Sequence, residues 1–284
     1  MEDTAGDFFA GVEQVEANIG EGRGKLPVFY RDARCLTVVF PARLLEIRRL
    51  LPDRRYVPAQ VAPGIGAVYM TAFEYRDTDI GPYNEFAIGF LMNSGDFLQV
   101  PVYNILRQMA RRSFNAYILH LPVTEEIALR GGVDLYNYPK FMASIEFTDT
   151  PDRANCELSE NGERICLLSA RKIAATRSGV MKAFTMPYQD RQPQSAEVKV
   201  NALKYGVAMG HRDVEFVLGE DHPLTRELDD LLISTSPIAY FYMPEMQAIL
   251  YGPERVSLAS VALFLERGLG VSLDELRRML EKRT

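Results

Sequence analysis

Histidine, cysteine and positive charge are all scarce in this sequence, and each scarcity removes a class of function. Only His120, His211 and His222 occur, none at metal-ligand spacing from another. The three cysteines, Cys35, Cys156 and Cys166, are odd in number and far apart, which fits free thiols in a reducing compartment better than a disulfide framework. A net charge of -6 supplies no basic face to neutralise phosphates, so nucleic acid is not an expected partner. The one dense basic stretch, Arg107 to Arg112, reads as a solvated helix face. No apolar run approaches the roughly 18 residues that a membrane helix needs. The acidic start, Met1-Glu2-Asp3-Thr4, lacks the order of a signal peptide. No membrane partner is expected, and the expected location is cytoplasmic.

Site signatures are missing as well. There is no phosphate-binding Gly-Lys-Ser/Thr loop, no Rossmann fingerprint between strand and helix, and no Gly-x-Ser-x-Gly elbow. His120 sits inside an apolar strand and reads as a core histidine. Metal, nucleotide and histidine chemistry are thus unsupported, no cofactor is expected, and lysine with carboxylate remains.

What is present is an ordinary folding composition: 284 residues, 47% hydrophobic and 25% charged. Residues 1–26 are polar and glycine-rich and read as an arm, and residues 27–284 as a single domain. A strand is predicted at Cys35–Phe40, then a helix opened by Pro41 and stopped by Pro52. The segments Ala67–Tyr75 and Glu85–Met92 read as a hairpin across a turn, with Glu85 beginning its second strand. A helix over 102–112 and a strand over 116–121 follow. A helix from Thr124 is expected to stop at Gly131-Gly132. Strands are predicted near 143–149, 154–159 and 164–170, the last two joined by Asn161-Gly162. The stretch 171–195 has no clear period. Further strands fall near 197–203, 213–219 and 238–250, and closing helices near 257–267 and 272–282, with Ser272 and Glu275 at capping-box spacing. Short strands with hairpin turns and few helices indicate an α+β fold with a largely antiparallel sheet.

Lys140 is the one lysine between Lys25 and Lys172. Its neighbours Tyr136, Tyr138, Pro139, Phe141 and Met142 are apolar or aromatic, and no acid lies closer than Asp134 and Glu146. Two readings follow: a stem lying on apolar surface with its charge in water, or an amine in a partly dry pocket. The second has chemical consequences, because burial disfavours the charged form. At an ordinary pKa of about 10.4, only about one lysine amine in 2,500 is neutral at pH 7.

The run Gly132-Val133-Asp134-Leu135-Tyr136-Asn137-Tyr138-Pro139-Lys140-Phe141-Met142-Ala143 resembles the lysine motif of the acetoacetate decarboxylase superfamily. The preceding Ala116–Thr124 run, the turn Gly81-Pro82-Tyr83-Asn84-Glu85 and the strand–helix unit from Leu36 to Pro52 are similar to that family too. The resemblance spans roughly 30 to 265. It implies a mostly antiparallel, cone-like sheet or barrel enclosing an apolar pocket, with a few peripheral helices, in a homo-oligomer. It also implies that Lys140 forms an imine with a small keto acid or other carbonyl substrate, and that Glu85 positions substrate and moves protons. Either Arg31 or Arg34 corresponds to a pocket arginine that would hold a carboxylate. Tyr83, Tyr138, Phe141 and Met70 are the remaining candidate substrate-binding positions. Two departures stand out. Phe141 occupies the place of the family's second lysine, the cation that helps lower the pKa of the first, and Met70 that of another pocket acid. A Schiff-base lyase of the aldolase-dehydratase or cyclase type is therefore favoured over true acetoacetate decarboxylation. A non-catalytic binder of apolar carbonyl ligands on the same fold is the alternative.

Overall fold

Two-residue alternation of apolar side chains runs through most of the chain and builds it from strands. The structure, a computed structural model, describes residues 7–20, 22–93, 100–210, 212–252 and 254–255. Its first half comprises β1 (Val15–Ile19), β2 (Gly22–Leu26), β3 (Val28–Arg43), α1 (Leu44–Leu50), β4 (Gln60–Ala62), β5 (Ile65–Thr78), β6 (Tyr83–Met92), α2 (Tyr103–Arg111), β7 (Ser113–His120) and α3 (Glu126–Arg130). Then come a π-helical turn (Gly131–Leu135), β8 (Ser144–Phe147), β9 (Arg153–Glu160), β10 (Glu163–Arg171), β11 (Arg177–Thr185) and β12 (Tyr188–Gln189). The remainder is β13 (Gln192–Met209), β14 (Val214–Leu218), α4 (Pro223–Leu231), β15 (Ala239–Leu250) and β16 (Glu254–Arg255).

The strand order β11-β7-β6-β5-β3-β15-β13 closes on itself, because β11 also pairs with β13. Every pairing around this seven-strand mixed barrel is antiparallel except β11 with β7. Closure removes the open edges that an exposed sheet would present. A second, four-stranded sheet, β14-β10-β9-β8, packs on the barrel's outside together with α4. Val38, Phe40, Met70, Ala72, Phe86, Ile88 and Phe90 fill the layer between barrel and outer sheet. Their alternates, Thr37, Tyr69, Thr71, Phe73, Tyr83, Glu85 and Ala87, consequently point into the barrel. There the Thr37 and Thr71 hydroxyls meet at 2.9 Å.

The expected α+β architecture dominated by antiparallel strands is present, as are the hairpin leading into Glu85 and the Asn161-Gly162 turn, with φ of 52° and 83°. Pro41 does not open a helix. It stays in β3 opposite Ala67, beyond the last β15 pairing at Val39, where its missing N–H leaves no gap in the ladder. Gly131-Gly132 does not stop the helix from Thr124 either, since the backbone continues through the π turn. β11, in the stretch without clear period, is the parallel strand that closes the barrel. Within the expected arm, Val15–Ile19 and Gly22–Leu26 pair as antiparallel strands, and Ile19 is buried. The closing helices with Ser272 and Glu275 lie outside the described residues, as does His211. Among the described residues, no helix is long and apolar enough to cross a membrane.

Candidate active site

Glu85 is placed by β6, whose inward alternation sets Tyr83 and Glu85 on the barrel's inner face. Lys140 is placed by the loop after the π turn. Tyr138 N donates to Gly132 O at 3.0 Å and Asn137 takes a positive φ of 53°, so the chain reverses and carries the lysine back past Gly132. A short ladder joins the two segments. Phe86 N donates to Pro122 O, Val123 N to Phe141 O, and Ala143 N to Val123 O, at 2.9–3.0 Å. The segment 121–123 therefore stitches the lysine loop to the start of β6.

The result is a buried ion pair. Lys140 Nζ donates to Glu85 Oε2 at 2.7 Å, with the two side chains 6% and 10% exposed. The other oxygen, Oε1, accepts from the Tyr75 hydroxyl at 3.3 Å. Tyr83 lies under the amine, 5.8 Å from Nζ to ring centroid, and its hydroxyl meets that of Tyr30 at 3.3 Å. Tyr75 is 4.5 Å from Tyr30 and 4.8 Å from Tyr83, centroid to centroid. Burial pushes the phenols of Tyr30 and Tyr75 well above their ordinary range, and the negative charge of Glu85 adds to it. For Tyr83, burial, then Tyr30, then Glu85 act in the same direction. Burial keeps these hydroxyls protonated, so they face the ion pair as fixed dipoles.

The candidate residues separate into two groups. Lys140, Glu85, Tyr83 and Tyr138 belong to the inner face; the Tyr138 hydroxyl is held by Thr185 Oγ1 at 2.6 Å. Met70 and Phe141 do not join them. Met70, fully buried, points from β5 into the layer under the outer sheet, and Phe141 packs against that same layer. Adjacent residues in extended chain face opposite ways, so a chain that turns Lys140 inward turns Phe141 outward. Position 141 is therefore no neighbour of the amine. Arg34 also projects outward, to Glu74 (2.7 Å) and Asp149 (2.5 Å), and lies over Phe147. Arg31 is tied to Asp79 at 2.6 Å. Neither arginine contacts Glu85 or Lys140. His120 pairs with Glu227 of α4 at 2.6 Å.

Residue-by-residue reading did not single out Tyr30, Tyr75 or Gly132. The alternation Tyr69-Thr71-Phe73-Tyr75 is a signal for Tyr75, since it loads one face of β5 with rings, and nothing local marks Tyr30 on β3. Gly132 lies within the lysine motif but reads locally as a helix stop. Two surface clefts flank the pair, of about 370 and 340 Å³. Tyr75 and Tyr83 line the first and Tyr138 and Pro139 the second, while Lys140 and Glu85 line neither. The candidate site is assigned to the barrel interior because the ion pair lies there.

A closed β-barrel with an outer sheet and a buried lysine–carboxylate pair inside it defines the class of protein, and the sequence comparison gives it a family. The family described as Acetoacetate decarboxylase (ADC) matches residues 18–199, and the chain belongs to that family. No curated protein sequence matches it. Among solved structures, an acetoacetate decarboxylase is similar with a TM-score of 0.56 at 14% identity, covering 81% of this chain and 88% of its own. The acetoacetate decarboxylase of Legionella pneumophila gives 0.56 at 12% identity, covering 81% and 87%. The enduracididine biosynthesis enzyme MppR, complexed with pyruvate, gives 0.54 at 14% identity, covering 81% and 90%. At these identities the likeness establishes the fold.

Proposed function

We propose that this protein is an imine-forming lyase acting on a small carbonyl compound, with Lys140 as nucleophile and Glu85 as proton shuttle. The observation that carries the reading is the 2.7 Å Lys140–Glu85 contact, nearly closed to solvent. A buried ion pair is a poor device for stability, because desolvating two charges offsets most of their attraction. Its use is chemical. Proton transfer from Nζ to Oε2 leaves a neutral amine facing a carboxylic acid. Nζ attacks the carbonyl carbon. One amine proton and the Glu85 proton convert the carbonyl oxygen into departing water, leaving a protonated imine and the Glu85 carboxylate. Glu85 next takes a proton from the neighbouring carbon, and the electron pair is held as an enamine. That carbon adds to an aldehyde, Glu85 returns its proton to the new alkoxide, and water releases the product and restores Lys140. Aldol-type addition is favoured over acetoacetate decarboxylation because Glu85 already balances the amine, and a 3-oxo acid would bring a second carboxylate beside it.

The test is reductive trapping. Incubation with cyanoborohydride and a panel of acetone, acetaldehyde and pyruvate should add one ligand mass to the peptide containing Lys140. Lys140→Ala should abolish the fast adduct. Glu85→Gln should still trap but exchange the ligand's α-protons with deuterated solvent roughly 10²–10⁴-fold more slowly. An adduct formed at equal rate in the Lys140→Ala protein would end the lysine mechanism.

A further inference from the structure

Tyr136 lies four residues before Lys140 and is 2% exposed, yet its hydroxyl has no hydrogen-bond partner among the described residues. Its ring stacks on Tyr138 at 5.1 Å between centroids and 12° between planes. It packs among Ala87, Ile118 and Leu121, on the inner face that also carries Glu85. Its phenol is close enough to those of Tyr30 and Tyr138 to make both harder to ionise, and the charge of Glu85 acts on the same two groups. Buried hydroxyls almost always find a partner, so one left unpaired in this cluster, close to Tyr30 and Tyr138, which also feel the charge of Glu85, is a donor kept open for a ligand.

The charges nearby bear on what that ligand is. Glu85 already balances Lys140. The two arginines that the family motif suggests as carboxylate clamps are neutralised elsewhere, Arg34 by Glu74 and Asp149, and Arg31 by Asp79. A ligand carboxylate beside the pair would bring a buried, unbalanced negative charge next to Glu85. An uncharged carbonyl compound would bring none, and its oxygen would accept from Tyr136 Oη. The rings of Tyr69, Phe73, Tyr75 and Tyr83 suit a flat apolar body.

We propose that the barrel interior selects uncharged, flat carbonyl compounds over keto acids, and that the Tyr136 hydroxyl holds the ligand's oxygen opposite Lys140. This rests on the imine-forming reading for the identity of the site, and its test separates the two. Benzamide and benzoate match in size and flatness, differ in charge, and neither forms an imine. Titrated against the whole protein by saturation-transfer NMR, benzamide should bind roughly tenfold or more tighter than benzoate. Tyr136→Phe should weaken benzamide roughly tenfold and leave the melting temperature unlowered, since the hydroxyl it removes holds no internal partner. Benzoate binding as well as benzamide, neither binding, or benzamide indifferent to Tyr136→Phe would each overturn the proposal. A benzamide preference without any Lys140 adduct would remove the imine chemistry and leave the ligand class standing. A Lys140 adduct together with equal benzoate binding would do the reverse.

Discussion

Gly132 and Lys140 make a close approach that a side chain at position 132 would block. A Cβ there would lie 2.3 Å from Lys140 Cε and 2.4 Å from Cδ, closer than real contacts allow. The lysine stem thus lies directly on the backbone of the π turn, and this sets where Nζ sits relative to Glu85. Gly132→Ala should push the stem aside and slow cyanoborohydride trapping at Lys140 roughly 10²-fold, the scale of an ångström misplacement of a reacting group. Because Gly132 has no positive φ, the substitution carries no left-handed strain, and the cost to folding should be small. Trapping at the wild-type rate would show that the stem does not depend on Gly132.

The turn between β5 and β6 delivers Glu85, and its own carboxylate ties that turn to β3 and to the segment just before β1. Asp79 accepts from Gln14 Nε2 at 2.5 Å, from Phe29 N at 2.8 Å and from Arg31 Nη2 at 2.6 Å. Burial alone would raise its pKa, but Arg31, the Phe29 N–H and Gln14 together hold it below the ordinary carboxylate range. A carboxyl depressed in the folded state contributes stability above its unfolded pKa of about 3.9, and that contribution is lost as pH falls through the folded value. Asp79→Asn should lower stability by about 1–3 kcal/mol at pH 7, read from the urea midpoint, and should speed hydrogen exchange at the Phe29 amide. The difference from wild type should shrink toward pH 3. A cost that did not change with pH would mean the charge is not what holds the turn. α2 shows another departure from simple patterning. It buries Asn104 and Gln108 and exposes Tyr103, Leu106 and Met109, because Gln108 is needed by Met92 O and Asn115 N at the end of the barrel.

Across the whole molecule, thiols and phenols are buried together in large number, and this makes the fold sensitive to base. All three cysteines are free and buried. Burial pushes Cys35 and Cys166 up to about 12 from an ordinary 9.0. Groups raised in the folded state contribute stability that is full below their unfolded pKa and is lost as pH rises toward the folded one. Stability should therefore hold at pH 8 and fall between about pH 9 and 12, with Tyr30, Tyr75 and Tyr83 adding to the loss. Urea midpoints measured at pH 8 and pH 10.5 test this, and Ellman's reagent at pH 8 should label the thiols only after unfolding. Fast labelling of the native protein, or an unchanged midpoint at pH 10.5, would contradict the burial described here.

Several features were legible from the residues alone because they depend on neighbours within a few positions. Lys140 is isolated among rings and a proline, Asn161-Gly162 favours a tight hairpin, and the run into Glu85 alternates as a strand does. The inner and outer faces were not legible. β6 is buried along almost its whole length, one face against the outer sheet and the other inside the barrel, so its apolar residues carry no polar alternation to tell them apart. For the same reason Met70 and Phe141 looked equivalent to residues that point the other way. Partners far apart in the chain were equally hidden: Glu85 meets Lys140 across 55 positions, and Arg34 finds Asp149 across 115. Side-chain chemistry made Lys140 and Glu85 candidates. Their meeting depends on the segment 121–123, which pairs with the start of β6 on one side and with the lysine loop on the other, and the closed barrel around them leaves the two charges little water to share.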